Sequence, residues 1–84
     1  MSGKAGIKGY VRTDVFITSY DEGSVNKLVS ELRSRFNVVG VVRSSVVSEL
    51  YYVSIEGDVV GEVREILKRY PEILWYKLDK VEFK

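Results

Sequence analysis

The stretch YVRTDVFITSYDEGSVNKLVSELRSRF, residues 10–36, contains the clearest change of pattern in the chain, because the spacing of its apolar side chains switches partway along it. Between Tyr10 and Tyr20, the β-branched residues at positions 11, 13, 15 and 17 alternate with residues of mixed character, and this period of two predicts a β-strand. After the polar turn at residues 20–24, apolar residues recur at intervals of three and four, which predicts an amphipathic helix over about residues 25–36. The segment is therefore a strand followed by a helix.

Two more strands are predicted directly after this unit. Residues 38–47 read VVGVVRSSVV, which is apolar on both faces and typical of a strand, or of two short strands bent near residues 44–45. Residues 49–56 alternate again and predict a separate strand. The chain therefore continues with two strands in succession.

The last part of the chain predicts a second helix and a final strand. Asp58 is the expected N-cap of the helix, and Pro71 ends it because proline cannot continue a helix. Residues 73–84 form the last strand, and a change of phase near residues 79–80 predicts a bulge or a short fifth strand. The order βαββαβ predicts an α+β, ferredoxin-like sandwich, in which a four-stranded antiparallel sheet has both helices on one face.

Length and composition indicate one small domain with few catalytic options. The chain has 84 residues, a net charge of +1, and neither His nor Cys. We predict a single domain over residues 10–84 after a flexible basic segment, residues 1–9. Without thiols and imidazoles the common nucleophiles, bases and metal ligands are missing, so we predict a non-enzymatic protein with no catalytic residue, metal or cofactor.

The same composition gives expectations about location and source. No apolar run approaches the roughly 18 residues of a membrane span, so we expect a cytoplasmic protein without a membrane partner. Gln is absent and Asn occurs twice, at Asn26 and Asn37, whereas Lys, Arg and Glu are plentiful. Depletion of thermolabile residues with added charge is typical of a thermophile.

The sheet face opposite the helices is predicted to be apolar. If Val15 and Val53 face the core, then alternation places several large apolar side chains on the other face. The residues predicted there are Phe16, Val42, Leu50, Tyr52 and Tyr76. An exposed patch on the order of several hundred square ångströms usually marks an interface, so these residues predict a homodimer or a higher homo-oligomer.

A stacking platform for single-stranded RNA or DNA is the alternative use of this face. RNA-recognition sheets place aromatics on the third strand within a glycine-containing motif with a basic start. The corresponding residues 48–55, SELYYVSI, have no glycine, no basic residue and one acid. The net charge also gives little attraction for phosphates, so nucleic acid is the less favoured partner.

The first half of the chain resembles the start of an ACT domain. Gly23 lies in an acidic turn and is followed by apolar residues two, five and nine positions later, as in that family, although Glu22 replaces its usual proline. These residues are Val25, Leu28 and Leu32. The second half resembles the related RAM domain, the effector-binding part of Lrp/AsnC-type regulators, at residues 48–53 and 69–73, but the Gly-x-Tyr-Asp motif of that domain is absent.

The resemblance implies a regulatory module that binds an amino-acid-like effector. Such domains are mostly non-catalytic, associate through their sheets or sheet edges, and act with a partner protein. The turn that corresponds to the ACT ligand loop contains Tyr20, Asp21, Glu22, Gly23 and Ser24. Gly40 is a further ligand-site candidate, since a glycine lets a backbone or ligand approach closely. The alternatives are a simple helix cap at Asp21 and Ser24 and a β-bulge at Gly40.

A second resemblance is to the Cas2 family of CRISPR-associated, metal-dependent nucleases. It rests on Tyr20-Asp21 after the first strand and on residues 44–50, SSVVSEL. It implies that two Asp21 side chains of a dimer hold Mg²⁺. One acid beside a helix start is the only metal-ligating residue that supports this alternative.

Overall fold

The computed structural model describes residues 10–83, and its elements follow the predicted order. They are β1 (Tyr10–Thr18), α1 (Glu22–Arg35), β2 (Val38–Arg43), β3 (Leu50–Glu56), α2 (Val60–Leu67) and β4 (Trp75–Phe83). The prediction of a flexible segment at residues 1–9 lies outside the described residues.

The four strands form one antiparallel sheet in the order β2-β3-β1-β4. β1 lies in the centre, with Val15 opposite Val53 of β3 and opposite Leu78 of β4. β2 and β4 are the edge strands. The predicted α+β fold with a four-stranded antiparallel sheet and two helices is confirmed.

Both helices pack on the same face of the sheet. Their buried residues join Val15, Ile17, Val53 and Ile55 in a single core cluster. The helical members of this cluster are Val25, Leu28, Val29, Leu32, Val63, Ile66 and Leu67. The opposite face of the sheet, which we call the open face, has no element of residues 10–83 packed over it.

The predicted fifth strand is wrong, because β4 is continuous. It pairs with β1 without a register shift from Thr18↔Trp75 to Tyr10↔Phe83. The apolar phase changes because Tyr76 and Leu78 pack against the core, whereas Val81, opposite Arg12, lies on the open face. A register shift lies instead in β2, between Val38 and Gly40.

The second predicted strand is shorter than expected. β2 ends at Arg43, and the Ser44 hydroxyl accepts hydrogen bonds from the N–H groups of Val46 (3.1 Å) and Val47 (3.0 Å). A serine that bonds the following backbone favours a turn over a strand. Val46 and Val47 therefore lie in the β2–β3 connection.

The second helix also begins differently from the prediction. Its N-cap is Val59, whose side chain makes no capping hydrogen bond. A side chain of β1 supplies hydrogen bonds at the start of this helix instead. The buried Thr13 hydroxyl accepts from Val59 N–H (2.9 Å) and donates to the Gly57 carbonyl (2.7 Å). Gly57 has φ +95°, a left-handed conformation that favours glycine. The helix ends at Leu67, before the predicted stop at Pro71.

Candidate functional site

The open face contains four of the five residues predicted for an interface. Phe16 and Tyr52 lie directly opposite each other on the two central strands, and Val42 lies opposite Tyr52. Leu50 precedes Tyr52 by two residues, so alternation places it on the same face. The prediction that Tyr76 lies on this face is wrong, because Tyr76 pairs with the buried Ile17 and packs against the core.

An aromatic patch covers one end of the open face; we define it as Phe16, Leu50, Tyr52 and Trp75. The rings of Phe16 and Tyr52 are 5.1 Å apart, and 51% of Trp75 is exposed. A surface cavity of about 280 Å³ lies among Phe16, Leu50, Trp75 and Lys77. Trp75 was not expected on this face, because Leu74 and Leu78 share the phase of Tyr76 and suggest that phase as the apolar one of β4.

A buried carboxylate lies at the centre of the open face. Asp14 is only 7% exposed, although no helix covers this face. It accepts hydrogen bonds from Arg12 Nε (2.7 Å), Arg12 Nη2 (3.2 Å) and the Tyr52 hydroxyl (2.9 Å). The hydrogen bond to Asp14 raises the pKa of Arg12 above its ordinary value. Alternation alone gave no reason to expect this network, since its partners come from two strands.

The predicted ligand turn is organised by Asp21. Its Oδ1 accepts from Gly23 N–H (3.0 Å) and Ser24 N–H (3.3 Å), and its Oδ2 accepts from the Ser24 hydroxyl (3.1 Å). These bonds, first those from Ser24, lower the pKa of Asp21 below its usual range. Asp21 is thus the N-cap of α1, which begins at Glu22. The alternative of a helix cap is correct for Asp21.

A cavity of about 590 Å³ lies beside this turn. Its lining residues are Ser19, Tyr20, Asp21, Glu22, Gly23, Arg43, Ser48 and Glu49. Four of the five predicted turn residues therefore line one cavity, together with three residues that come from the end of β2 and the β2–β3 connection. No local sequence pattern joins these segments, because they are about twenty residues apart and meet only through the sheet.

Arg43 is held firmly at the rim of this turn cavity. Its Nε donates to the Ser48 carbonyl (2.6 Å), its Nη1 donates to Glu22, and its guanidinium carbon lies 5.2 Å from the centre of the Tyr51 ring. The hydrogen bond to Glu22 raises the pKa of Arg43 above its ordinary value. The cavity therefore presents a fixed positive charge next to the acids of the turn.

Gly40 lies apart from the turn cavity. It is in β2 opposite Ser54, next to the register shift that follows Val38. The predicted bulge is present here, and the side chains that line the turn cavity do not include this residue.

Two further observations bear on the type of site. Within residues 10–83, no group of three or more His, Cys, Asp or Glu side chains is placed to hold a metal ion. Neither helix of this part of the chain is long and apolar enough to cross a membrane.

In comparisons with known proteins, the chain matches no protein-family model and no curated protein.

Proposed function

We propose that this chain is a non-enzymatic, ferredoxin-like module that self-associates through its open face. The ferredoxin-like assignment is supported by the connections. β1-α1-β2 and β3-α2-β4 each join two parallel strands that have a third strand between them, which is the split βαβ arrangement. The non-enzymatic assignment is supported by the absence of His and Cys from the sequence.

The aromatic patch is the observation that carries the proposal. Monomeric proteins rarely leave a contiguous apolar patch of this kind in water, and aromatic residues are enriched at the centres of protein interfaces. Val42, which is 56% exposed, extends the patch towards β2. A second copy of the chain supplies a surface of the same chemistry, so two patches cover each other in an isologous dimer.

The charges on the open face favour protein over nucleic acid as the partner. Arg12 is engaged by Asp14, and Lys77 Nζ lies 3.7 Å from Asp79 Oδ2. Both basic side chains therefore have an acidic neighbour on the same face, which weakens their attraction for phosphates. Aromatic side chains alone are sequence-tolerant stacking surfaces, but binding of single strands also needs a positively charged groove.

The test is the solution mass of a patch variant. Leu50→Asp with Tyr52→Asp should convert a wild-type oligomer into monomers, because two buried charges in each copy are costly at an interface. Val46→Asp is the matched control, since Val46 is 90% exposed and lies in the β2–β3 connection. Light scattering at micromolar concentration measures the mass.

A wild-type mass of 9.6 kDa in that experiment contradicts the proposal. Retention of single-stranded RNA that falls steeply with salt assigns the aromatic patch to nucleic acid instead.

A second candidate function, binding of an amino-acid-like effector, is favoured by the turn cavity. The Arg43 guanidinium, although it already binds Glu22 and the Ser48 carbonyl, is the cation of this cavity that a carboxylate would approach, and the carboxylates of Asp21 and Glu49 suit an ammonium group. Opposite charges on one cavity rim are what a zwitterion requires. The effector class is the one that the ACT and RAM resemblance implies.

Thermal melting with a panel of amino acids tests this second function. A ligand that binds the native state raises the melting temperature by mass action. Asp21→Asn keeps an oxygen that accepts the capping bonds but removes the negative charge, so the ligand-induced shift should disappear while the fold remains. Equal shifts of the melting temperature in both proteins would show that Asp21 is not part of the site. No shift in the wild type would contradict the binding of an amino-acid-like effector.

A further inference from the structure

Three connections between the elements gather at one end of the sheet. β1 ends there at Thr18 and β2 ends there at Arg43, whereas β3 begins there at Leu50 and β4 begins there at Trp75. We call this part of the molecule the connection end. The connections that cross it are residues 19–21, 44–49 and 68–74.

Ser19 joins the three connections to one another. It is only 1% exposed, its N–H donates to the Glu49 carbonyl (2.9 Å), and its hydroxyl donates to the Glu72 carbonyl (2.9 Å). Beside it, Leu74 N–H donates to the Thr18 carbonyl (2.9 Å). The connection end is therefore one continuous surface rather than three separate loops.

Large apolar side chains are concentrated on this surface. Of the eight that are exposed among residues 10–83, five lie at the connection end. Tyr20 (76% exposed), Val46 (90%) and Leu74 (63%) come one from each connection, and Val47 and Trp75 are the other two. Apolar side chains scattered singly are normal on a protein surface, but a concentration of this kind marks an interaction site.

The connection end also carries acidic side chains without basic partners. The basic residues at this end are all in ion pairs, which are Arg43–Glu22, Lys68–Glu65 and Arg69–Glu31. Glu49 and Glu72 form no ion pair within residues 10–83. Two uncompensated negative charges therefore belong to this surface, on residues that both bond to Ser19.

The spacing of the connections fits a helix that lies across the strand ends. Neighbouring strands are about 4.8 Å apart, so the connections repeat at about that distance along the end of the sheet. Successive turns of an α-helix repeat at about 5.4 Å and place apolar side chains on one face. An added strand has no equivalent place here, because the unpaired backbone groups of a sheet lie along its edge strands and not at its ends.

We propose that the connection end binds a basic amphipathic helix of a partner protein. The apolar face of that helix covers Tyr20, Val46 and Leu74, and its Lys or Arg side chains reach the carboxylates of Glu49 and Glu72. Complementary charge of this kind selects the partner and speeds the encounter. The proposal does not rest on self-association, because the connection end shares only Trp75 with the aromatic patch.

The same acids disfavour two other occupants. If the connection ends of two copies met, Glu49 and Glu72 of each would face the like charges of the other, which is costly across an interface. The surface of a membrane rich in anionic lipids is negative and repels these carboxylates as well. A basic partner is the occupant that compensates both charges.

Binding of a synthetic helix tests the proposal. The probe is a fluorescently labelled amphipathic peptide with leucines on one face and lysines on the other, and the comparison peptide has glutamate in place of lysine. Fluorescence anisotropy at physiological salt should give a dissociation constant at least about tenfold lower for the lysine peptide. Equal affinity for the two peptides overturns the proposal.

Apolar variants locate the bound peptide. Val46→Ser with Leu74→Ser should raise the dissociation constant of the lysine peptide at least about tenfold. Both side chains are exposed, so circular dichroism should show an intact fold. Val39→Ser is the matched control, because Val39 is 53% exposed but lies at the start of β2, and it should leave the constant unchanged. Equal effects of the two changes, or no effect of either, contradict the proposal.

Charge variants test the acidic contribution separately. Glu49→Gln with Glu72→Gln removes both negative charges and keeps the bonds to Ser19, which use backbone carbonyls. The affinity for the lysine peptide should fall at least about tenfold, and its dependence on salt should weaken. Unchanged affinity would show that these charges do not select the partner, and the proposal would be wrong.

The remaining measurements separate this surface from the open face and from a membrane. Leu50→Asp with Tyr52→Asp disrupts the aromatic patch and should leave peptide binding intact, whether or not the wild type self-associates. Loss of binding in that variant places the peptide on the open face and overturns the proposal. Sedimentation of the wild type with vesicles of phosphatidylserine and phosphatidylcholine should show no binding, and co-sedimentation overturns the proposal in favour of a membrane.

Discussion

Leu28→Ala is expected to lower the free energy of unfolding by about 3 kcal/mol. Leu28 lies in α1, is completely buried, and belongs to the core cluster that joins both helices to the sheet. The loss has two parts, the removed apolar contact and the cavity left behind. Since a domain of this kind is stable by only about 5–15 kcal/mol, this change removes a large share of the total. Urea unfolding followed by circular dichroism measures the effect.

Leu74→Ala is the matched control for that experiment. Leu74 is 63% exposed, so the same truncation removes little buried surface. Its unfolding free energy should stay within about 0.5 kcal/mol of the wild type. Similar losses in the two variants would mean that α1 does not pack on the sheet as described.

Thr13→Val is expected to cost about 1–3 kcal/mol of unfolding free energy, although valine has nearly the same shape as threonine. The Thr13 hydroxyl is the link between β1 and the start of α2, since it accepts from Val59 N–H and donates to the Gly57 carbonyl. The valine leaves both backbone groups without this partner in a part-buried position. The midpoint of urea unfolding measures the loss.

Two variants separate this hydrogen-bond effect from packing. Thr13→Ser keeps the hydroxyl and should retain most of the stability that Thr13→Val loses. Thr18→Val makes the same change on the open-face side of β1, where the side chain is half-buried, and should have a smaller effect. If Thr13→Val were as stable as the wild type, the hydroxyl would not contribute to the start of α2.

Local patterns predicted the strands and helices where one face of an element is buried. In β1 and β3 the core face and the open face alternate strictly, so the period of two was sufficient to assign Phe16 and Tyr52 to the open face. The same reasoning failed for β4, an edge strand, where apolar residues occur in both phases. Tyr76 and Trp75 therefore could not be assigned to a face from the sequence.

The candidate turn was also predictable only in part. Asp21, Gly23 and Ser24 are residue types that start helices, and their contacts span three positions, so the local sequence contains the information. Arg43 reaches the same cavity from the end of β2, and its contact with Glu22 joins residues 21 positions apart. No local pattern reports such a contact.

The sequence by itself determined the order of the elements and the two faces of the central strands, because each depends on neighbours within a few residues. The tertiary structure decided the burial of Asp14, the cap of α2 by Thr13 and the meeting of Arg43 with the turn. It also decided that β2 is an edge strand with its register shift beside Gly40. The physical reason is that strand register brings distant residues together, and hydrogen bonds and burial are set by those distant partners.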